Sequence, residues 1–217
     1  MGLHLHSCRP RPRSRSTTVV GLAMLTALSG ALSSSPTLAS PPTTVVLVRH
    51  AEKKTGTNPE LTSTGHQRAE ALAKALQDTA ITAVYATATC RTVQTARPTA
   101  KALGLTIRFP QSPRDPGIAS CAATIDVPTL ALPSMSPLTL RDHIESEHRG
   151  EAVLVVGHSN TVPELVEAFG AAPLCPDLFP LDAGRCLLPE AEFDHLIVIV
   201  VSDQGIAQSI RTRYGSQ

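Results

Sequence analysis

Three apolar runs without polar alternation constrain the fold of this 217-residue chain more than any other feature. They are Thr44–Leu47, Ile81–Ala86 and Val153–Val156. Strands that are covered on both faces are continuously apolar, whereas strands with one face in water alternate. Because helical patterns separate the runs, the sequence predicts an α/β fold with helices on both faces of a mostly parallel sheet, which is a three-layer α/β/α sandwich.

Each apolar run is followed by residues whose side chains can bind a ligand or react with it. Arg49-His50 follows the first run, Thr87 to Arg91 follow the second, and Gly157-His158 follows the third. Since ligands bind at the carboxyl ends of parallel strands, two arginines and two histidines are expected to meet at one edge of the sheet. Guanidinium groups and the free N–H groups of helix N-termini match the oxygens of a phosphate dianion. An imidazole among these cations keeps its lone pair at neutral pH and could attack phosphorus.

Helices are predicted after each of the three runs. The first has an apolar face at helical spacing, formed by Ala69, Leu72, Ala73 and Leu76. Thr62 or Thr64 is its expected N-cap, and Gly65 in its first turn suggests close backbone approach. Pro98 should kink or restart the second helix. In the third, Thr161-Val162-Pro163-Glu164 is typical of a capping box.

Four ordered motifs carry a resemblance to a known family. They are Val48-Arg49-His50-Ala51-Glu52, Leu61-Thr62-x-x-Gly65, Tyr85-Ala86-Thr87 with Arg91-Thr92-x-Gln94-Thr95-Ala96, and Gly157-His158-Ser159. With these motifs the chain resembles the histidine phosphatase superfamily, also called the phosphoglycerate mutase-like family, from about Thr44 to Tyr214. The resemblance implies that His50 accepts the phosphoryl group and that Arg49, Arg91 and His158 form the phosphate pocket. It also implies a phosphohistidine intermediate and no metal or other cofactor.

The chain is similar to the smaller branch of that superfamily. Acid phosphatases and phytases of the other branch carry Arg-His-Gly-x-Arg-x-Pro and a His-Asp pair. Here Ala51-Glu52 follows His50, and Ser159 follows His158. Phosphoglycerate mutases usually have Gly at the position of Ala51. The resemblance therefore implies a small phosphatase, a phosphoric monoester hydrolase acting on a phosphate monoester or a phosphoramidate such as phosphohistidine.

The motifs do not identify the group that protonates the leaving group. In the family a carboxylate usually follows the helix that bears the second arginine, and Asp115 and Asp126 are candidates here. Glu52, two residues after the nucleophile, is a third. Asp115 is favoured, although an Asp before a proline also caps loops. The alternative to an enzyme is a catalytically silent module of the same fold that binds a phosphorylated ligand.

Other functions fit the same residues less well. A zinc site of His50, Glu52 and His158 would place a cation beside arginines, and the usual ligand spacings do not occur. A serine hydrolase with Ser159 as nucleophile would leave the two arginines without a role. Cys90 lacks the glycines of a loop that wraps phosphate around a thiol. The remaining histidines have no motif and are interpreted as surface or capping residues: His66, His143, His148 and His195.

The first 39 residues differ in character from the rest. Arg9, Arg11, Arg13 and Arg15 occur without acidic residues, and Val19–Leu32 is apolar but too short to span a bilayer. Small residues and Thr37-Leu38-Ala39 follow. The pattern predicts a cleaved export signal at residues 1–39 and a single domain at residues 40–217. The protein is then periplasmic or secreted, without a stable membrane anchor.

Cysteine content agrees with export. Cys8 would leave with the signal, and four cysteines remain, an even number that suits an oxidising compartment. The favoured pairing joins Cys175 to Cys186, which would leave Cys90 to join Cys121. Free buried thiols are the alternative for either pair.

The segment Pro110–Pro137 is rich in proline and longer than most connections in a compact domain. It is interpreted either as a lid over the substrate or as a passive insertion. Near the end of the chain, Leu196–Val201 and Ile206–Ile210 are predicted to form a hairpin.

Composition narrows the class of partner. The chain has no Trp, two Tyr and four Phe, and its formal net charge is +1. The aromatic platforms that stack on bases are therefore scarce, and no long basic run offers a track for a phosphate backbone. This composition argues against nucleic acid and favours a small phosphorylated substrate, while it indicates no particular oligomeric state.

Overall fold

The structure is a computed structural model that describes residues 40–113, 115–175, 179 and 181–215. The export signal predicted at residues 1–39 lies outside the described residues. Within the described residues, no helix is both long enough and apolar enough to cross a membrane.

Nine strands and four α-helices form in the described part of the chain. The strands are β1 (Thr43–Arg49), β2 (Ile81–Ala86), β3 (Ile107–Pro110), β4 (Thr129–Leu132), β5 (Ala152–Gly157), β6 (Leu181–Asp182), β7 (Arg185–Cys186), β8 (His195–Val201) and β9 (Ala207–Arg213). The helices are α1 (Ser63–Leu76), α2 (Cys90–Leu103), α3 (Pro137–Glu147) and α4 (Thr161–Ala168). A 3₁₀ turn, Ala119–Thr124, lies between β3 and β4.

Seven of these strands form one sheet in the order β4-β3-β2-β5-β1-β8-β9. The five strands from β4 to β1 are parallel, and β8 and β9 add an antiparallel hairpin beyond β1. β6 and β7 pair separately. The predicted mostly parallel sheet between helices is therefore confirmed, as is the hairpin near the end of the chain.

The central strands supply a hydrophobic cluster to each face of the sheet. Val45 and Leu47 pack with α3 and α4, whereas Val46 and Val48 pack with α1 and α2. All four side chains are at most 4% exposed. Because successive side chains of a strand point to opposite faces, a strand covered on both sides must be apolar at every position. The unbroken run of β1 follows directly from this packing.

The start of α1 is packed against the turn that follows β1. The Thr62 hydroxyl accepts a hydrogen bond from the backbone N–H of Gly65 at 3.1 Å, as the predicted N-cap requires. The backbone N–H of Thr62 donates to the carbonyl oxygen of Glu52 at 2.9 Å. A Cβ at Gly65 would lie 2.1 Å from that same oxygen, so only glycine fits there.

Helix α2 differs from the prediction at Pro98. The helix runs from Cys90 to Leu103 as one element, so the predicted restart at Pro98 does not occur. Pro98 lacks the N–H that would bond to the carbonyl of Gln94, but it is buried, and packing of α2 against the sheet offsets the lost bond. The first N–H of the helix is capped from a distant loop, since Asn58 Oδ1 accepts from the Cys90 N–H at 3.0 Å.

The segment Pro110–Pro137 is more regular than its sequence indicated. It contains the 3₁₀ turn and β4, which pairs in parallel with β3. Both strands are only four residues long, so no extended apolar run marks them in the sequence. A disulfide joins Cys90 to Cys121 and fastens the 3₁₀ turn to the start of α2, while Cys175–Cys186 closes the loop after α4. These are the pairings that the sequence favoured.

Two histidines without a motif are buried. His148 is the C-cap of α3, in agreement with a capping role, and its ring lies 2.9 Å from the Tyr85 hydroxyl and 2.8 Å from the Glu151 carboxylate. His195 is 1% exposed, and its Nε2 lies 2.6 Å from Glu192. The surface interpretation was wrong for His195, because its polar partner becomes visible only in the folded chain.

Candidate functional site

Residues that follow β1, β2 and β5 line one cavity of about 570 Å³. Arg49 and His50 lie at the end of β1, Arg91 lies in the first turn of α2, and His158 lies in the loop after β5. The ring centroids of His50 and His158 are 5.4 Å apart, and Arg91 Nη2 is 3.4 Å from His158 Nδ1. The fold thus brings together the two arginines and two histidines that were expected to meet.

His50 is held in one tautomer by its own backbone. Its ring is 3% exposed, and its Nδ1 lies 2.8 Å from the carbonyl oxygen of Ala51. Because a carbonyl oxygen can only accept, Nδ1 carries the proton and Nε2 keeps its lone pair. The Ala51 N–H donates to Thr95 Oγ1 at 2.9 Å, and the His50 N–H donates to the carbonyl of Gly157 at 2.9 Å. These bonds fix the turn that presents the imidazole.

His158 is held by a threonine that sequence reasoning did not single out. Its Nε2 lies 2.8 Å from Thr87 Oγ1, and the Thr87 hydroxyl donates to Thr92 Oγ1 at 3.1 Å. Thr87 must therefore accept a hydrogen bond from the Nε2–H of His158. The Nδ1 lone pair of His158 is left facing Arg91. The only earlier signal for Thr87 was its place in a motif.

The predicted capping box at the start of α4 is wrong. Thr161 is the first helical residue, and the cap position is occupied by Asn160, whose side chain makes no capping hydrogen bond. The Thr161 hydroxyl instead accepts from the backbone N–H of His158 at 2.7 Å. Thr161 therefore fixes the loop that carries His158 rather than the first turn of the helix.

A loop before β8 holds the guanidinium of Arg49. Arg49 Nη1 donates to the carbonyl oxygens of Pro189 at 2.7 Å and Glu190 at 3.2 Å. The ring of Phe193 lies 4.5 Å from the guanidinium carbon, and its centroid is 6.0 Å from that of His50. Sequence reasoning missed these three residues, because nothing local marks a loop 140 positions away as a neighbour of Arg49.

Two guanidinium donors at the cavity have no hydrogen-bond partner. Within the described residues, the Nε atoms of Arg49 and Arg91 are buried and unpaired. Both arginines line the cavity, so their positive charge is available to an anionic ligand there. The oxygens of a phosphoryl group are acceptors of the kind that guanidinium forks bind best.

The structure separates the three candidate carboxylates. Asp115 lines the cavity. The Glu52 carboxylate makes an ion pair with Arg68 at 2.6 Å, away from the cavity wall. Asp126 is half-exposed and pairs with Arg97 at 2.9 Å. Glu52 and Asp126 therefore pair with cations outside the cavity, and of the three candidates only Asp115 lines it, together with Glu164 and Glu190.

Burial and positive charge change the titration of the cavity groups. Burial lowers the pKa of His50 to about 3, with smaller contributions from the charges of His158, Arg49 and Arg91. Burial, then Arg91, then Arg49 lower the pKa of His158 to about 3. Burial raises the pKa of Asp115, against a hydrogen bond from Ala88 and the charge of Arg91. Both imidazoles are thus neutral at pH 7, and Asp115 takes up a proton more readily than a free aspartate does.

We expect both cavity histidines to stay neutral from about pH 8 to about pH 5, because a lowered pKa leaves the imidazolium form unpopulated until the pH falls toward 3. In an NMR titration, their Cε1–H signals should not move over that range, whereas a model histidine peptide titrates near 6.5. Signals would be assigned with His50→Gln and His158→Gln. A midpoint near 6.5 for either ring would contradict the burial described here.

A metal centre is not indicated at the cavity. Within the portion that the structure describes, one group of side chains has ligand atoms close enough to share an ion, namely Glu192, Asp194 and His195. Arg213 pairs with both carboxylates and supplies the positive charge there. The zinc set considered from the sequence, His50 with Glu52 and His158, does not assemble, because Glu52 faces Arg68.

A family model matches part of the chain. Residues 45–112 match the model described as Histidine phosphatase superfamily (branch 1). The matched region runs from β1 to just past β3, so it includes Arg49, His50 and Arg91 and ends before His158. No curated protein matches the sequence.

Solved structures resemble the domain in fold. YhfR of Bacillus stearothermophilus is 21% identical over 76% of this chain and 94% of its own, with a TM-score of 0.52. A phosphoserine phosphatase of Entamoeba histolytica, in complex with 3-phosphoglyceric acid, is 16% identical over 81% and 98%, with a TM-score of 0.50. The ecdysone phosphate phosphatase of Bombix mori, in complex with tungstate, is 18% identical over 80% and 97%, with a TM-score of 0.50.

Proposed function

We propose that this chain is a phosphoric monoester hydrolase of the histidine phosphatase superfamily, branch 1, whose model matches residues 45–112, and that it works through a phosphohistidine on His50. One observation carries the proposal. The His50 ring, with Nδ1 bound to Ala51 and Nε2 left with its lone pair, lies in the wall of a cavity where two guanidinium groups have unpaired donors. A neutral nucleophile beside an anion site is what in-line attack on phosphorus requires.

The first half-reaction transfers the phosphoryl group to the protein. Arg49 and Arg91 bind the phosphoryl oxygens and stabilise the charge that develops on them. The lone pair of His50 Nε2 attacks phosphorus, so that a P–N bond forms while the P–O bond to the leaving group breaks. Asp115, whose pKa is raised by burial, donates its proton to the departing oxygen.

The second half-reaction returns the protein to its starting state. Water attacks phosphorus and passes a proton to the Asp115 carboxylate, while the P–N electron pair returns to His50 Nε2 and inorganic phosphate forms. His158 assists from the side of Arg91. A bound dianion favours protonation of its Nδ1, which then donates to a phosphoryl oxygen, while Thr87 keeps the ring in place through Nε2.

Trapping the intermediate tests this proposal. The wild-type protein, mixed with [³²P]acetyl phosphate and quenched in alkali, should carry a label that is stable in base and lost in acid, as a phosphoramidate is. His50→Ala should carry none. If the wild type neither labels nor releases phosphate, yet binds inorganic phosphate, the domain is a silent binding module and the enzymatic proposal fails.

We also propose that the protein acts outside the cytoplasm, in the periplasm or as a secreted protein. Two disulfides, Cys90–Cys121 and Cys175–Cys186, support this location because thiols are kept reduced in the cytosol. N-terminal sequencing of the protein from a non-cytoplasmic fraction should give a chain that begins at Ser40, after the predicted signal.

A further inference from the structure

A second cavity shares a wall with the phosphate cavity. Its volume is about 170 Å³, and Asp115 and His158 line both cavities. Resting on the function proposed above, we infer that this second cavity, here called the leaving-group pocket, receives the alcohol part of the substrate. We infer further that the preferred alcohol is uncharged, apolar and about the size of one six-membered ring.

Most of the surface of the leaving-group pocket is apolar. Tyr85 and Val155 contribute from the sheet, Leu140 from α3, Leu165 from α4, and Met135 from the segment before α3. Tyr85, Val155, Leu140 and Leu165 are each at most 9% exposed, so packed elements fix this wall. A dry apolar cavity of about 150 Å³ is known to hold benzene, so the pocket has room for a single ring.

Three hydroxyl side chains on this wall are already engaged with other groups of the protein. The Thr87 hydroxyl binds His158 and Thr92, and the Thr161 hydroxyl accepts from the His158 N–H. Ser136 caps α3 through the N–H of Thr139. Gln111, Asp115 and Glu164 are other polar residues on the wall, and these few groups replace only part of the hydrogen bonds that a polyol makes to water, which disfavours sugar phosphates and glycerol phosphate.

The charges on the wall disfavour an anionic leaving group. The Glu164 carboxylate lines the leaving-group pocket, Asp115 enters the reaction protonated and therefore uncharged, and the described lining residues include no Lys or Arg. A carboxylate on the alcohol would therefore meet negative charge without a counter-ion. An uncharged leaving group avoids this cost, so discrimination arises from repulsion as well as from apolar contact.

Asp115 lines both the leaving-group pocket and the phosphate cavity. The leaving oxygen must lie within hydrogen-bond reach of the acid that protonates it. Because Asp115 is in the wall common to both cavities, an alcohol that takes its proton from Asp115 has the leaving-group pocket next to it. The phosphoryl group then stays between Arg49 and Arg91, and the apolar body of the substrate leaves water.

Three substrates that release primary alcohols test the inference, since their leaving groups are of similar chemical type. They are benzyl phosphate, glycerol 3-phosphate and phosphoglycolate. We expect kcat/KM for benzyl phosphate to exceed that for glycerol 3-phosphate by roughly 10- to 100-fold, the effect of burying one ring. Phosphoglycolate should be the poorest of the three.

Substitutions at Met135 test directly whether the pocket selects the leaving group. Met135 is half-buried in the pocket wall, so Met135→Lys should lower kcat/KM for benzyl phosphate about 10-fold and raise it for phosphoglycolate. Met135→Trp should fill the pocket and lower the ratio of kcat/KM for benzyl phosphate to that for acetyl phosphate, because the acetyl group is smaller than the ring. Leu138→Lys is the matched control, because Leu138 is 56% exposed and lies outside the pocket.

The outcomes separate the two proposals. If the wild type hydrolyses acetyl phosphate but does not prefer benzyl phosphate, the leaving-group pocket is wrong and the phosphatase mechanism stands. The same holds if Met135→Lys and Leu138→Lys leave the benzyl-to-phosphoglycolate ratio equally unchanged. If no phosphorylated compound is turned over, acetyl phosphate included, the proposed function fails and the pocket inference fails with it.

Discussion

Replacing His50 with Ala is expected to lower kcat/KM for phosphate monoesters by on the order of 10⁴-fold or more, because the attacking lone pair is removed. The other imidazole at the cavity, His158, has both ring nitrogens engaged, Nε2 with Thr87 and Nδ1 with Arg91. The guanidinium groups remain protonated at neutral pH. Phosphate release from benzyl phosphate and from acetyl phosphate measures the effect.

The control for this variant is His66→Ala. His66 lies on α1 with an exposed side chain and outside the cavity, so its removal should change kcat/KM less than about twofold. Thermal unfolding should establish that His50→Ala is folded, since a buried ring is lost. If folded His50→Ala retains a tenth of wild-type turnover, His50 is not the nucleophile.

Removing the second guanidinium has the next largest expected effect. Arg91→Ala should lower kcat/KM by about 10²- to 10³-fold, because the charge on the transferring group loses a preorganised donor in a partly buried site. Arg91→Lys keeps the charge but not the planar fork, so its loss should be intermediate. Steady-state kinetics on benzyl phosphate and calorimetric binding of inorganic phosphate should both show the decrease.

Arg97→Ala is the matched control on the same helix. The Arg97 guanidinium pairs with Asp126 at 2.9 Å and takes no part in the cavity wall. Its removal should leave phosphate affinity unchanged and affect stability only slightly, because exposed ion pairs contribute little. Equal losses of phosphate affinity in the two arginine variants would show that α2 is perturbed as a whole, and would remove Arg91 from the anion site.

Arg91 also lowers the pKa of His158. Its positive charge is one of the causes that lower the pKa of His158, so Arg91→Ala should raise that pKa. His158 would then begin to take up a proton at a higher pH than in the wild type. The NMR titration described above detects this shift independently of turnover.

Much of the candidate site could be predicted from sequence because parallel strands end together. Three apolar runs predict neighbouring strands, and the residues at their ends, Arg49, His50 and His158, are expected at one edge from the sequence alone. β1 lies beside β5, and β5 lies beside β2. That adjacency is the reason residues about a hundred positions apart share one cavity.

Local patterns were less informative where one side chain had several possible partners. Thr161 has the sequence of a capping box, yet its hydroxyl binds the N–H of His158. Glu52 is two residues from His50, yet Arg68 on α1 neutralises it. Pro98 is expected to interrupt a helix, yet α2 continues past Pro98 because the helix packs against the sheet. In each case a contact made by the folded chain outweighed a weak local preference.

The sequence by itself predicted the helix and sheet layers, the loops that carry the arginines and histidines, and an anionic ligand. Hydrophobic periodicity and residue type can be read from short stretches of the chain, which is why these features were predictable. The tertiary structure alone decided which carboxylate faces the cavity, how Phe193 and Pro189 hold Arg49, and that an apolar pocket adjoins the anion site. These features depend on contacts between segments far apart in the sequence, and no local pattern of residues encodes such contacts.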